Sequence, residues 1–155
     1  MKIGMTENRY AICLLAGAIL IGSASHPSVV HADSPDDILV IANKGVSNTT
    51  LTTDELRSIF LKQRKNWNGG AKIIPIHAPE GSDLRHHFQK LVLSMAPEEE
   101  LIYWFAQQAR GKGGPPIEFR KTQKAVFKIS GSVSYVYRKE FKEGVAKVLI
   151  VIPTK

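Results

Sequence analysis

The stretch APEGSDLRHHF, residues 78–88, places a hydroxyl (Ser82), a carboxylate (Asp83), a guanidinium (Arg85) and two imidazoles (His86, His87) within six positions, shortly after a further imidazole, His77. Gly81-Ser82 reads as a turn that opens a helix. The first N–H groups of a helix have no partner inside it and carry a partial positive charge, so such a turn is a ready anion site. The candidate anion-binding set is therefore His77, Gly81, Ser82, Asp83 and Arg85, with Arg85 and His77 supplying positive charge. Two features of the same residues support a structural role instead. Ser82 as N-cap stabilises a helix by about 1 kcal/mol with no ligand, and the Asp83 carboxylate fills the field that an anion would occupy, as an internal substitute for one. Both readings stand at the level of sequence.

Other chemistry is less well supported. Adjacent histidines on a helix point about 100° apart, and neither Cys nor a carboxylate cluster accompanies them, so no metal or other cofactor is expected. Ser82, His77 and Asp83 have the residue types of a hydrolytic triad, but no G-x-S-x-G elbow surrounds the serine, so the chain reads as a non-enzyme. Trp67, beside KQRK, is either a stacking platform for a glycan or a core anchor for its loop.

The first 32 residues differ in character from the rest. Lys2 and Arg9 precede the apolar run Tyr10–Gly22, and Val30 and Ala32 stand at the −3 and −1 positions of a cleavage site, which is the order of a secretory signal. The expected division is a cleaved signal peptide over 1–32, an acidic linker over 33–37 and an α/β domain over 38–155, in a periplasmic or secreted protein. Cys13, the single cysteine, lies in the leader, so the exported domain has no disulfide. Beyond residue 32, 19 Lys and Arg oppose 13 Asp and Glu, a net charge of +6. That field favours anions or acidic surfaces, and export removes nucleic acid as a partner.

The elements that must position these residues follow from periodicity. ILVIANKG, residues 38–45, is a continuous β-branched and aliphatic run, as in a strand covered on both faces, which argues for a parallel sheet. LTTDELRSIFLKQ carries a capping box, Thr52 with Glu55, and a staple of Leu51 on Leu56. A strand is expected from Ile73 to His77. The helix from Ser82 has an apolar stripe of Leu84, Phe88, Leu91, Val92 and Met95. A helix opened by Pro97 carries Leu101, Trp104 and Phe105, with its glutamates at the positive end of the dipole. A short helix over 121–130 and the strands SVSYVYR and KVLIVIP complete a three-layer α/β domain.

Taken in order, LTTDELRSIFLKQRKNWNGGAKIIPIHAPEGSDLRHHF and the later SGSVSYVY resemble the second lobe of phosphate-type periplasmic substrate-binding proteins. A helix ending in IF, a loop with Trp, a strand, a GS turn opening a helix with Phe, and a G-x-x-x-Y strand entry follow in that family's sequence. The resemblance implies a single lobe of a type II periplasmic-binding-protein-like fold with a mostly parallel central sheet. It further implies recognition of phosphate or a similar small anion in connection with ABC transport or sensing, and a membrane transporter or other protein as partner. Only Ser82 carries over from the family's phosphate shell. The Gly-Thr expected after it is Asp83-Leu84 here, and the arginine four residues before it is Ala78. The 123 residues beyond the leader cannot build two lobes when a domain commonly needs about 100 or more. The alternative is an interaction module that keeps the fold and docks a protein partner or an acidic surface polymer without a small-molecule ligand.

Overall fold

A computed structural model describes residues 33–155; the expected signal peptide, 1–32, lies outside the described residues. Five strands form one sheet in the order β3-β2-β4-β1-β5, where β1 is Ile38–Ala42, β2 Ile74–His77, β3 Ile117–Glu118, β4 Ser132–Tyr137 and β5 Lys147–Ile152. The helices are α1 (Thr53–Phe60), α2 (Asp83–Phe88), α3 (Pro97–Ala109) and α4 (Thr122–Lys128). A π-helical turn, Gln89–Leu93, prolongs α2.

All five residues of β1 are buried, as its composition requires. Its side chains alternate between two cores. Ile38, Val40 and Ala42 join Leu56, Phe60, Phe88 and Tyr135 on one face, while Leu39 and Ile41 meet Ile76, Ala125, Val126 and Val136 on the other. The three-layer reading therefore holds. The mostly parallel sheet does not: β2 runs parallel to β3 and β4, but β1 is antiparallel to both β4 and β5. Helical layers on both faces account for the apolar run in β1 whichever way its neighbours run, so burial carries no information on strand direction. β3, only two residues long, gives no periodic signal in the sequence.

Local physics decides several elements. Thr52 and Glu55 close the capping box of α1, with the Thr52 hydroxyl accepting from Glu55 N–H and the Glu55 carboxylate accepting from Thr52 N–H at 2.9 Å. Trp67 is a core anchor: its indole is buried and donates to the carbonyl of Gly131 at 2.9 Å. Gly131 has φ +75°, and a Cβ there would lie 2.3 Å from the Lys72 carbonyl oxygen, so no other residue fits. The acidic segment before β1 is pinned to the end of β4, since Arg138 N–H donates to the Asp37 carbonyl (2.8 Å) and the Arg138 guanidinium meets the Asp33 carboxylate (2.9 Å).

Candidate functional site

The turn after β2 forms as the sequence requires. Gly81 takes φ +75°, and Ser82 caps α2 in an extended conformation, its hydroxyl accepting from Arg85 N–H at 3.3 Å and donating to the Pro79 carbonyl at 2.7 Å. Asp83 is exposed in the first turn. These three residues stand together at the carboxyl end of β2, where open α/β sheets present their ligand sites.

His77 and Arg85 belong to a different environment. Both are buried beneath the turn, and the Arg85 guanidinium is held by Glu100, its Nη2 donating to Glu100 Oε1 at 2.7 Å. The same oxygen accepts from Trp104 Nε1 at 3.1 Å, and Glu100 Oε2 accepts from Gln89 Nε2 at 2.6 Å. Three donors thus converge on one buried carboxylate, the condition under which a charge tolerates removal from water. His77 Nδ1 lies 2.9 Å from the Tyr135 hydroxyl, which also accepts from Ala78 N–H at 3.3 Å. The other imidazole nitrogen, Nε2, lies 3.6 Å from Glu100 Oε1. Burial pushes the Tyr135 phenol well above its ordinary range, and nearby Arg85 pulls the other way.

The network forms the floor of a cavity of about 230 Å³ between α3 and the turn, with Glu80 and Glu118 at its mouth. Glu118 accepts from Glu80 N–H at 3.3 Å and ties the turn to the edge strand β3. Glu80, Glu100 and Glu118 line this cavity together with Arg85, whose guanidinium is paired with Glu100, and Asp83 adds a further carboxylate on the turn. Of the five expected residues, the structure brings Gly81, Ser82 and Asp83 to the surface and His77 and Arg85 to the buried network. His87, on the exposed side of α2, meets the Tyr137 hydroxyl through Nδ1 at 2.8 Å.

Sequence reasoning missed Glu100, Gln89 and Tyr135. The signal for Glu100 was present: it shares a stripe with Tyr103 and Trp104, at i+3 and i+4, whereas its role at the helix dipole was the one read. In consequence the expected apolar set of α3 is split: Trp104 is buried as expected, but Leu101 and Phe105 are not. Trp104 and Glu100 point in, and Leu101, Ile102 and Phe105 are 71%, 68% and 75% exposed. Gln89 could not have been placed from a 3.6-residue period, because the π-turn rotates the chain at that position.

No protein-family model matches the chain, and no curated protein matches it in sequence. Solved structures do match it in fold. An ABC-type phosphate transport receptor from Vibrio cholerae superposes with a TM-score of 0.57 at 15% identity, over 76% of this chain and 47% of its own. A Clostridium perfringens structure with bound phosphate, named as a candidate substrate-binding protein of a phosphate ABC transporter, gives 0.56 at 16% identity, over 76% of this chain and 46% of its own. A phosphate-binding protein candidate from Planctomyces limnophilus gives 0.51 at 16% identity, over 74% and 40%. The chain thus spans less than half the length of these neighbours, and among the described residues its fold is similar to a part of phosphate ABC-transporter substrate-binding proteins.

Proposed function

We propose that this domain works outside the cytoplasm as a substrate-binding-protein-like lobe that docks a protein partner through the outward face of α3. The observation that carries the reading is the exposure of Leu101, Ile102 and Phe105 on one helix. Pro115 lines the same cavity as Leu101 and Phe105. Contiguous apolar surface of this kind marks interaction sites on soluble proteins. Folds that match the chain belong to proteins about twice its aligned length, so a partner supplying a facing lobe is in keeping with the comparison. A photo-crosslinking residue at position 105, with position 143 as control, tests the reading in exported protein. One defined adduct from 105 and none from 143 is expected; equal labelling at both sinks it. Sequencing the amino terminus of that material checks export, which predicts a start near Asp33.

The second reading is that the Gly81–Ser82 turn takes phosphate or a similar small anion in connection with transport, as the names of the fold neighbours suggest. It is favoured by the position of the Ser82 cap at the carboxyl end of β2. With Arg85 paired to Glu100 and His77 enclosed, the ligand would rely on backbone N–H groups and the Ser82 hydroxyl, leaving one side in water. The expected affinity is weak, on the order of 0.1 to 1 mM. Asp83→Asn should tighten phosphate binding in a calorimetric titration and Ser82→Ala should weaken it. Unchanged binding in both variants reduces the turn to a helix cap.

A further inference from the structure

We propose that a second site, on the opposite core from the turn, binds a soluble organic anion with an apolar body, of the class of aryl or alkyl phosphomonoesters and polycarboxylates. A cavity of about 480 Å³ lies between α4 and the connection from β4 to β5, lined by Arg120, Lys121, Lys124 and Lys142. That volume is within the range of small-molecule sites, roughly 300 to 1,000 Å³. Among the described residues, none of these four side chains has an ion-pair partner or an accepted hydrogen bond. Several other cations of the domain are committed, Arg85 to Glu100, Arg138 to Asp33, Lys139 to Asp36, and Lys62 to the carbonyls of Gly114 and Pro115, whereas these four converge on one concave surface. Glu140 is the one carboxylate that lines the cavity, so its rim carries an excess of about three positive charges.

The cavity also has an apolar side and a fixed wall. Phe127 lines it while remaining 57% exposed, and the buried Val136 lies beneath. Solvated lysines alone would need neither. The wall is held by a two-bond clamp, in which Gln123 Nε2 donates to the Lys142 carbonyl at 2.6 Å and Lys142 N–H donates to Gln123 Oε1 at 3.2 Å. The clamp fixes the backbone that bears Lys142 against α4, so the backbone needs no ordering when a ligand arrives and only the side-chain rotamers are left to be fixed. Positive charge around a concave apolar surface selects an anion that also carries hydrocarbon. The turn after β2 bears Glu80 and Asp83 and its Arg85 is paired with Glu100, whereas this cavity has four cations and one carboxylate in its lining, which makes it the better anion site of the two.

Phenyl phosphate is the probe, titrated calorimetrically at low salt beside inorganic phosphate. Saturable binding at least tenfold tighter than that of inorganic phosphate is expected, weakening as salt is raised. Lys124→Glu and Lys142→Glu should each reduce the affinity roughly tenfold or more, and Phe127→Ser should remove the preference over inorganic phosphate. All three side chains are exposed, so thermal melts should be unaltered. Absence of saturable binding, equal affinity for the two phosphates, or insensitivity to both lysine reversals overturns the proposal. A separate arm uses phosphatidylcholine vesicles with and without phosphatidylglycerol, because a lipid headgroup offers the same phosphate chemistry. Adhesion to the anionic vesicles without binding of phenyl phosphate overturns the soluble ligand in favour of a membrane surface.

Discussion

Arg85 and Glu100 show how one side chain's partner decides its role. A guanidinium one turn from a helix start reads as anion chemistry when only its own helix is considered. With Glu100 at 2.7 Å it is instead half of a buried ion pair, whose carboxylate also takes Trp104 and Gln89. Such a pair costs desolvation, and its loss on one side leaves an uncompensated charge in the interior. Arg85→Ala or Glu100→Ala should each lower stability by about 3 to 5 kcal/mol. Arg85→Met combined with Glu100→Leu should cost less than either single change. Urea denaturation of the four proteins measures these differences, and single losses below about 1 kcal/mol would mean that the pair is not formed in solution.

At the scale of elements, α1 and α2 differ in how far local rules reach. α1 obeys them fully: the capping box and the buried Leu56, Ile59 and Phe60 all follow from its own residues. Hydrogen bonding from the Thr52 backbone, then from Arg64, holds the Glu55 carboxyl below the usual range. A depressed folded-state value means that this stabilisation is present above the unfolded carboxylate's pKa and is lost as pH falls through the folded one. Glu55→Gln should therefore flatten the acid limb of the stability–pH profile. The effect should stay within about 1 kcal/mol because the ion pair is largely solvated and salt-screened, and an unchanged profile would refute the cap's electrostatic part. α2 departs from its periodic pattern where the π-turn begins. Phe88 and Val92 are buried as expected, but Leu84, Leu91 and Met95 are only partly so, and Gln89 and Leu93 are buried beside them. The extra residue in the turn rotates the stripe, and that rotation brings the Gln89 amide to Glu100.

For the whole molecule, the connectivity of the sheet ties the ends of the described domain together. β1 lies between β4 and β5, with Ile38 opposite both Tyr137 and Ile152. Leu149 and Ile152 belong to the same core as Phe60 and Phe88. Removing Lys147–Ile152 would strip one side of β1 of its hydrogen bonds and open that core to water. The truncated protein should show no cooperative thermal transition by circular dichroism; a sharp transition would show that β5 is dispensable.

The sequence by itself determined the layers, most of the elements and the Ser82 cap, because hydrophobic period, capping and glycine punctuation are properties of residues adjacent in the chain. It also carried a partial sign of the buried network, since Glu100 shares a stripe with Trp104. Only the tertiary structure decided that β1 runs antiparallel to its neighbours, that α3 turns Glu100 inward and Leu101 and Phe105 outward, and that four unpaired cations line one cavity. Each of these depends on which remote residue lies opposite: Tyr137 for Ile38, Glu100 for Arg85, Lys142 for Gln123. A local pattern states which face is apolar, but the direction of a strand and the partner of a charge are set by contacts that only folding brings together.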